Sequence, residues 1–198
     1  AVVFEQAQSK DFRGVFDSNL NKIVIAYKDY GNSQYGTAIV GTVDPSDNSI
    51  SFGSAVVFEA AAVNEYVGAA FDSNSNKVVI GFSDNGDSNK GKAIVGTVSG
   101  TSISFGTAAV FDSGETDFIS VTFDSNSTFD SNSNKVVIAY QHNSASGRGT
   151  AVVATVSGTS ISFGTAVVFN SSNSTNVTTT FDSNSNKVVI AYKDYGNS

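Results

Sequence analysis

The chain has 198 residues, 40% hydrophobic and 15% charged, so it carries enough apolar content for a core and lies outside the low-hydrophobicity regime of disordered chains. Its net charge of -7 has the same sign as nucleic-acid phosphates and anionic lipid, and no apolar run approaches the roughly eighteen residues of a membrane span, which argues against both partners. Without cysteine it has no disulfide, thiolate zinc site or cysteine nucleophile.

In chain order, residues 1–15 read as the end of a repeating unit. Because the sequence opens in mid-repeat on Ala1-Val2-Val3-Phe4, a processed chain or a piece of a longer one is expected. Next comes the phrase Phe16-Asp17-Ser18-Asn19-Leu20-Asn21-Lys22-Ile23-Val24-Ile25-Ala26-Tyr27, which recurs with small changes from Phe71, Phe129 and Phe181. The spacings are 55, 58 and 52, and a fixed period near fifty is a fold signal before it is a functional one. A short Asn/Ser cluster between apolar β-formers predicts a hairpin, since Asn tolerates the left-handed conformation of tight turns.

The second unit, residues 71–122, shows the remaining strands. After Lys77-Val78-Val79-Ile80-Gly81-Phe82 and a variable polar stretch come Ala93-Ile94-Val95-Gly96-Thr97-Val98, the turn Ser99-Gly100-Thr101-Ser102, and a run from Ile103 to Phe111. Short β-branched runs with this punctuation predict four strands per unit and an all-β chain. The first unit, residues 16–70, is longer because Asp44-Pro45-Ser46-Asp47-Asn48-Ser49 replaces the four-residue turn. Ahead of the third, residues 129–180, residues 123–128 duplicate the start of the phrase. Only one copy can pair in the usual register, so the other is expected to form a bulge or extended loop. Residues 181–198 and 1–15 together supply 33 of the 52 residues of a fourth unit, lacking its third strand and most of the last.

Four-stranded antiparallel repeats near fifty residues predict a β-propeller: three complete blades plus a split, incomplete fourth formed from both termini. Strand residues Ile23 to Tyr27 are apolar on both faces, as stacked sheets require. A β-solenoid or stacked β-sandwich is the competing architecture. With these motifs the chain resembles propellers of near-identical blades, broadly kelch, tachylectin and integrin-type, and is similar to repeat-rich propeller-like proteins of marine bacteria and phages. It has no Trp and no kelch Gly-Gly pair, so the resemblance implies the fold and transfers no family function.

The units disagree in the connections between second and third strands and between the fourth strand and the next unit. In a propeller both emerge on one face, and loops on a rigid scaffold are where binding residues sit. The candidates are Asp29, Tyr30, Asn32 and Tyr35; Asp84, Asn85, Asp87 and Lys90; His142, Asn143 and Arg148; and Asp194 with Tyr195. Such acids, amides and rings suit a polar ligand, for example a sugar. The Asp-x-Asn-x-Asn spacing of Asp72, Asn74 and Asn76 resembles the start of an oxygen-ligand calcium loop, but Lys77 follows where the loop needs glycine and no downstream Glu completes it. The expectation is a structural turn and no cofactor. His142 is the single histidine and no nucleophile motif accompanies it; paired carboxylates such as Asp84 and Asp87 suit acid-base work but have no distinctive spacing, and no enzyme is expected. The reading is a non-enzymatic extracellular, surface or virion-associated module binding a protein or glycan surface, with a fibre, phage-tail or filament component and a lectin-like propeller as competing functions. Homo-oligomers through the terminal strands are expected if the incomplete unit is completed by a neighbour.

Overall fold

Each unit starts from a local hydrogen-bonding device. In a computed structural model, described at residues 1–64, 66–125 and 135–197, Asp17 accepts the backbone N–H of Asn19 and Leu20 at 3.0 Å, and Asp72 those of Asn74 and Ser75 at 2.9 and 3.0 Å. The last Asn of the turn takes left-handed backbone, with φ of 53°, 58° and 55° at Asn21, Asn76 and Asn186. This is the conformation that a short polar side chain tolerates and a β-branched one resists.

The turn joins β1 (Ser9–Asp17) to β2 (Lys22–Asp29) antiparallel. Next come β3 (Tyr35–Asp44), β4 (Ser49–Phe52) and β5 (Val56–Ala62). β4 pairs with the end of β3 and β5 with its beginning, so one broken fourth strand lies along the whole of β3. The second unit repeats this with β6 (Gly68–Asp72), β7 (Lys77–Asp84), β8 (Lys90–Ser99) and β9 (Ser102–Phe105). Then the pattern changes. β10 (Ala109–Phe123) pairs through its first half with β8 and through its second with β11 (Lys135–His142), so one strand closes the second unit and opens the third. After β12 (Arg148–Ser157) and β13 (Ser160–Phe163), β14 (Val167–Asp182) does the same between β12 and β15 (Lys187–Asp194). The expected loops between these units are therefore bulged strand, and among the described residues no α-helix occurs.

In the third unit Phe123 pairs with Val136, the register that Phe71 takes with Val78, and Asp124 N–H donates to the Lys135 carbonyl at 3.1 Å. The first copy of the duplicated phrase thus occupies the standard position. Residues 129–134, which open the second copy, lie outside the described residues.

Units stack face to face. One core joins Val24, Ala26, Ala38 and Val40 of the first unit to Val78, Ile80, Phe82, Ile94 and Ile103 of the second; a second joins Val79, Ala93 and Val95 to Val136, Ile138, Tyr140 and Val152 of the third. Both faces of a middle unit are buried, which accounts for unbroken apolar runs such as Val78-Val79-Ile80. Residues 1–8 form no strand, but Phe4 packs on Tyr27 and Phe52 at ring distances of 5.4 and 5.7 Å. Phe58 makes the same pair of contacts on Phe82 and Phe105. No strand pairing among the described residues joins β1 to β14 or β15.

Candidate functional site

The two variable connections do share one face. Backbone hydrogen bonds tie them together: Tyr30 N–H to the Gln8 carbonyl, Val63 to Gln34 and Thr116 to Asn89 at 3.0 Å, and Ser174 to Gly147 at 2.8 Å. Each connection between second and third strands is a single 3-10 turn, Tyr30–Asn32, Asn85–Asp87 or Asn143–Ala145, followed by a serine in left-handed backbone.

Most of the sequence-selected polar groups on this face serve that geometry. Asp29 is buried and caps its turn, accepting from Gly31 and Asn32 N–H at 2.9 and 3.2 Å. Asp194 does so through Gly196 N–H at 2.8 Å and the Asn197 amide at 2.7 Å. Asp84, also buried, caps through Gly86 N–H and binds Lys92 Nζ at 2.6 Å. Lys92 reaches Asp87 at 3.1 Å, and Asp87 also holds Lys90 at 2.8 Å. Hydrogen bonds from Lys90 and Lys92 keep the Asp87 carboxyl below the ordinary range. The carboxylate pair weighed for acid-base work is thus bridged by lysine. Asn32 and Asn85 are exposed, while Tyr35 begins β3 opposite Asp29.

His142 caps nothing; its Nδ1 lies 3.3 Å from Asp112 Oδ2, which accepts the Tyr140 hydroxyl at 2.7 Å. Asn143 donates to Asp117 at 2.6 Å, and Arg148 pairs in β12 with His142 and Asn173. Tyr30 carries the Lys10 and Lys28 ammonium groups at 5.3 and 5.2 Å from its ring, and Tyr195 carries Lys193 at 4.3 Å. These residues sit unit by unit along the face, and the structure gathers them into no common cavity. The Asp72 turn is a local clasp: Asp72 is buried, Asn74 exposed, and Asn76 Oδ1 accepts from Asn19 at 3.2 Å. Among the described residues no group of three or more His, Cys, Asp or Glu side chains could hold a metal.

A different set converges. Five residues before the constant Phe-Asp pair of every unit stands a residue in left-handed backbone, Asp11, Tyr66, Phe118 and Asn176, with φ of 57°, 75°, 49° and 52°. In β1, β10 and β14 a bulge accompanies it, marked by register shifts at Lys10/Arg13, Asp117/Ser120 and Thr175/Thr178. Left-handed backbone at Phe and Tyr is costly, on the order of 1 kcal/mol each, and a bulge re-aims side chains. Here they are aimed at one pocket of about 280 Å³, lined by Arg13, Tyr66, Phe118, Ser120, Asn176 and Thr178 with Ile119 and Val177.

All four units contribute to this pocket. The Tyr66 and Phe118 rings stack at 4.1 Å with planes 32° apart. Arg13 Nη1 donates to the Phe12 carbonyl at 2.9 Å, and Ser120 Oγ accepts Thr179 N–H at 3.0 Å. A guanidinium, two aromatic faces, an amide and two hydroxyls can bind a small polar molecule by hydrogen bonds on its edges and contact on its apolar face. Sequence reasoning marked the connections into each unit as variable but selected no residue there. The available signal was position: Arg13, Gly68, Ser120 and Thr178 each stand three residues before the constant Phe-Asp, and each unit carries a different residue.

No protein-family model and no curated protein matches the sequence. Two solved structures of the NanB sialidase from Streptococcus pneumoniae, one in complex with 2-[(3-chlorobenzyl)ammonio]ethanesulfonate and one a point mutant, are similar in fold. Each has 15% sequence identity and a TM-score of 0.65, over 92% of this chain and 27% of the sialidase. The chain therefore spans about a quarter of that enzyme's length, and the likeness concerns the fold.

Proposed function

We propose that this chain is a non-enzymatic binding module on a β-propeller scaffold, taking a polar ligand of the glycan class at the pocket where its four inner strands meet. One observation carries the reading: four residues in left-handed backbone, one per unit and three of them at bulges, bring side chains that differ from unit to unit to a single pocket. The propeller architecture is supported by four-stranded units stacked in sequence with their first strands innermost, and by the fold likeness to a sialidase. The glycan class is taken from that likeness and from the pairing of stacked rings with Arg13 and Asn176. Binding is favoured over catalysis because no carboxylate stands among the described residues lining the pocket, while Asp84 and Asp87 are engaged by Lys92.

A glycan array followed by calorimetry tests this, each run with calcium and with EDTA. The expected result is retention of a restricted glycan set, unaffected by EDTA, with affinity lowered about tenfold or more by Arg13→Ala and by Phe118→Ala. Retention of no glycan in either condition, or binding indifferent to both substitutions, would overturn the proposal.

A further inference from the structure

We propose that the first unit binds a doubly charged oxyanion, sulfate, phosphate or a phosphate monoester, between the ammonium groups of Lys10 and Lys28 at the ring of Tyr30. None of the three residues lines the pocket, so the site is independent of the glycan reading. Lys10 of β1 and Lys28 of β2 stand directly opposite each other in the antiparallel register, so their side chains leave the sheet on one face, with Cβ atoms about 5 Å apart. Both ammonium groups lie over the same ring, 5.3 and 5.2 Å from the centre of Tyr30. Like charges placed opposite each other destabilise a sheet, and one aromatic ring shared by two cations offsets only part of that repulsion.

Lys28 is 5% exposed, and among the described residues no carboxylate lies within ion-pair distance of its ammonium group or of that of Lys10. A lysine buried to this degree is ordinarily paired, because taking its charge out of water is costly unless an opposite charge replaces the water. The acid next to it is engaged elsewhere, since the Asp29 carboxylate accepts Gly31 and Asn32 N–H. Equivalent positions in other units avoid the arrangement. In the third, Asp117 stands opposite Gln141 and accepts the Asn143 amide at 2.6 Å; in the fourth, Thr175 stands opposite Lys193, which donates to the Tyr195 hydroxyl at 2.8 Å. The first and fourth units share the run Lys-Asp-Tyr-Gly-Asn, at 28–32 and 193–197, so it is Lys10 that turns this run into a two-cation site. Two adjacent ammonium groups with no acid to neutralise them complement an anion of two charges, which each can meet with a charge-assisted hydrogen bond.

Lys10→Thr and Lys28→Gln each install a residue that the same position holds in another unit, so both proteins are expected to keep the wild-type circular dichroism spectrum. Thermal unfolding and calorimetry follow the wild type and both variants with inorganic sulfate and with methyl phosphate, an ester that has no sugar ring for the pocket, at an ionic strength held constant with sodium chloride. The expected outcome is a saturable rise in the wild-type melting temperature with each anion, and affinity lowered about tenfold or more in each variant. Tighter binding of methyl phosphate would assign the site to a phosphate ester, and equal or weaker binding to the free ion. Sulfate also strengthens burial in proteins generally, an effect that acts on all three proteins alike. No saturable response in the wild type, or the same response in both variants, would overturn the proposal and leave the glycan reading untouched.

Discussion

At the scale of single residues, the near-copies differ where a half-buried polar side chain must be satisfied. The residue after the packed Phe is Glu5, Glu59, Asp112 or Asn170. Asp112 accepts the Tyr140 hydroxyl at 2.7 Å and Glu5 the Tyr27 hydroxyl at 3.3 Å, but the second unit has Phe82 there, and Glu59 instead feels the charge of Lys92, whose ammonium is bound to Asp84 at 2.6 Å. Burial, and then the charge of Asp84, raise the Glu59 carboxyl above the ordinary range against the pull of Lys92. Lys92→Met leaves buried Asp84 without its amine and is expected to cost about 3 kcal/mol in urea denaturation at pH 7. The deficit should narrow on acidification, because a carboxyl with a raised folded-state pKa protonates early and Glu59 then withdraws one negative charge from the cluster. Burial, with Asp112 next, also raises the Tyr140 hydroxyl. A group whose folded-state pKa is raised adds stability below its unfolded value and loses it as pH rises. Above about pH 10 the unfolded chain ionises first, and the unfolding free energy should fall by up to about 1.4 kcal/mol per pH unit for this tyrosine, a contribution lost in Tyr140→Phe while that of Tyr27, whose hydroxyl burial also raises, remains.

At the scale of elements, the constant phrase is a hairpin-building device. Asp72 satisfies two backbone donors, and Asn76 supplies the left-handed residue that the turn into β7 requires. Asp72→Ala is expected to cost about 1–2 kcal/mol, and Asn76→Val about 1 kcal/mol, by thermal or chemical unfolding. Since the carboxylate is occupied by the chain's own N–H groups, added calcium should leave the melting temperature unchanged; a saturable rise would assign a cation to the turn. The hairpin was legible because its chemistry is contained within six residues. The fusion of fourth and first strands into β10 and β14 was not. Residues 112–117, Asp-Ser-Gly-Glu-Thr-Asp, carry no apolar alternation to mark a strand, and pairing with two different neighbours, β8 and β11, decides their conformation.

At the scale of the whole molecule, units meet closely enough to exclude a methyl group. A Cβ added at Gly53 would clash with the Thr101 carbonyl of the next unit, and one at Gly106 with that of Thr159; at Gly164 the nearest atom is the Val153 carbonyl, 3.5 Å away. Gly53→Ala and Gly106→Ala are therefore expected to destabilise by about 2–3 kcal/mol, and Gly164→Ala by less than about 0.5 kcal/mol, in the same denaturation series. Equal costs at all three positions would show that local backbone preference, rather than the contact between units, sets the requirement for glycine.

Repetition and alternation in the sequence determined the four-stranded unit, the turn residues and the burial of both faces in the middle units, because each depends on neighbours within one repeat. The shared face of the variable connections also followed from unit order. The pocket did not. Asp29, Asp84 and Asp194 have the composition of ligand residues, yet their own turn backbones claim them. Arg13, Tyr66, Phe118 and Asn176 stand far apart in the chain and have no common residue type. Only the stacking of units brings these four strands together, since convergence on one pocket is a property of their relative placement, which no single repeat encodes.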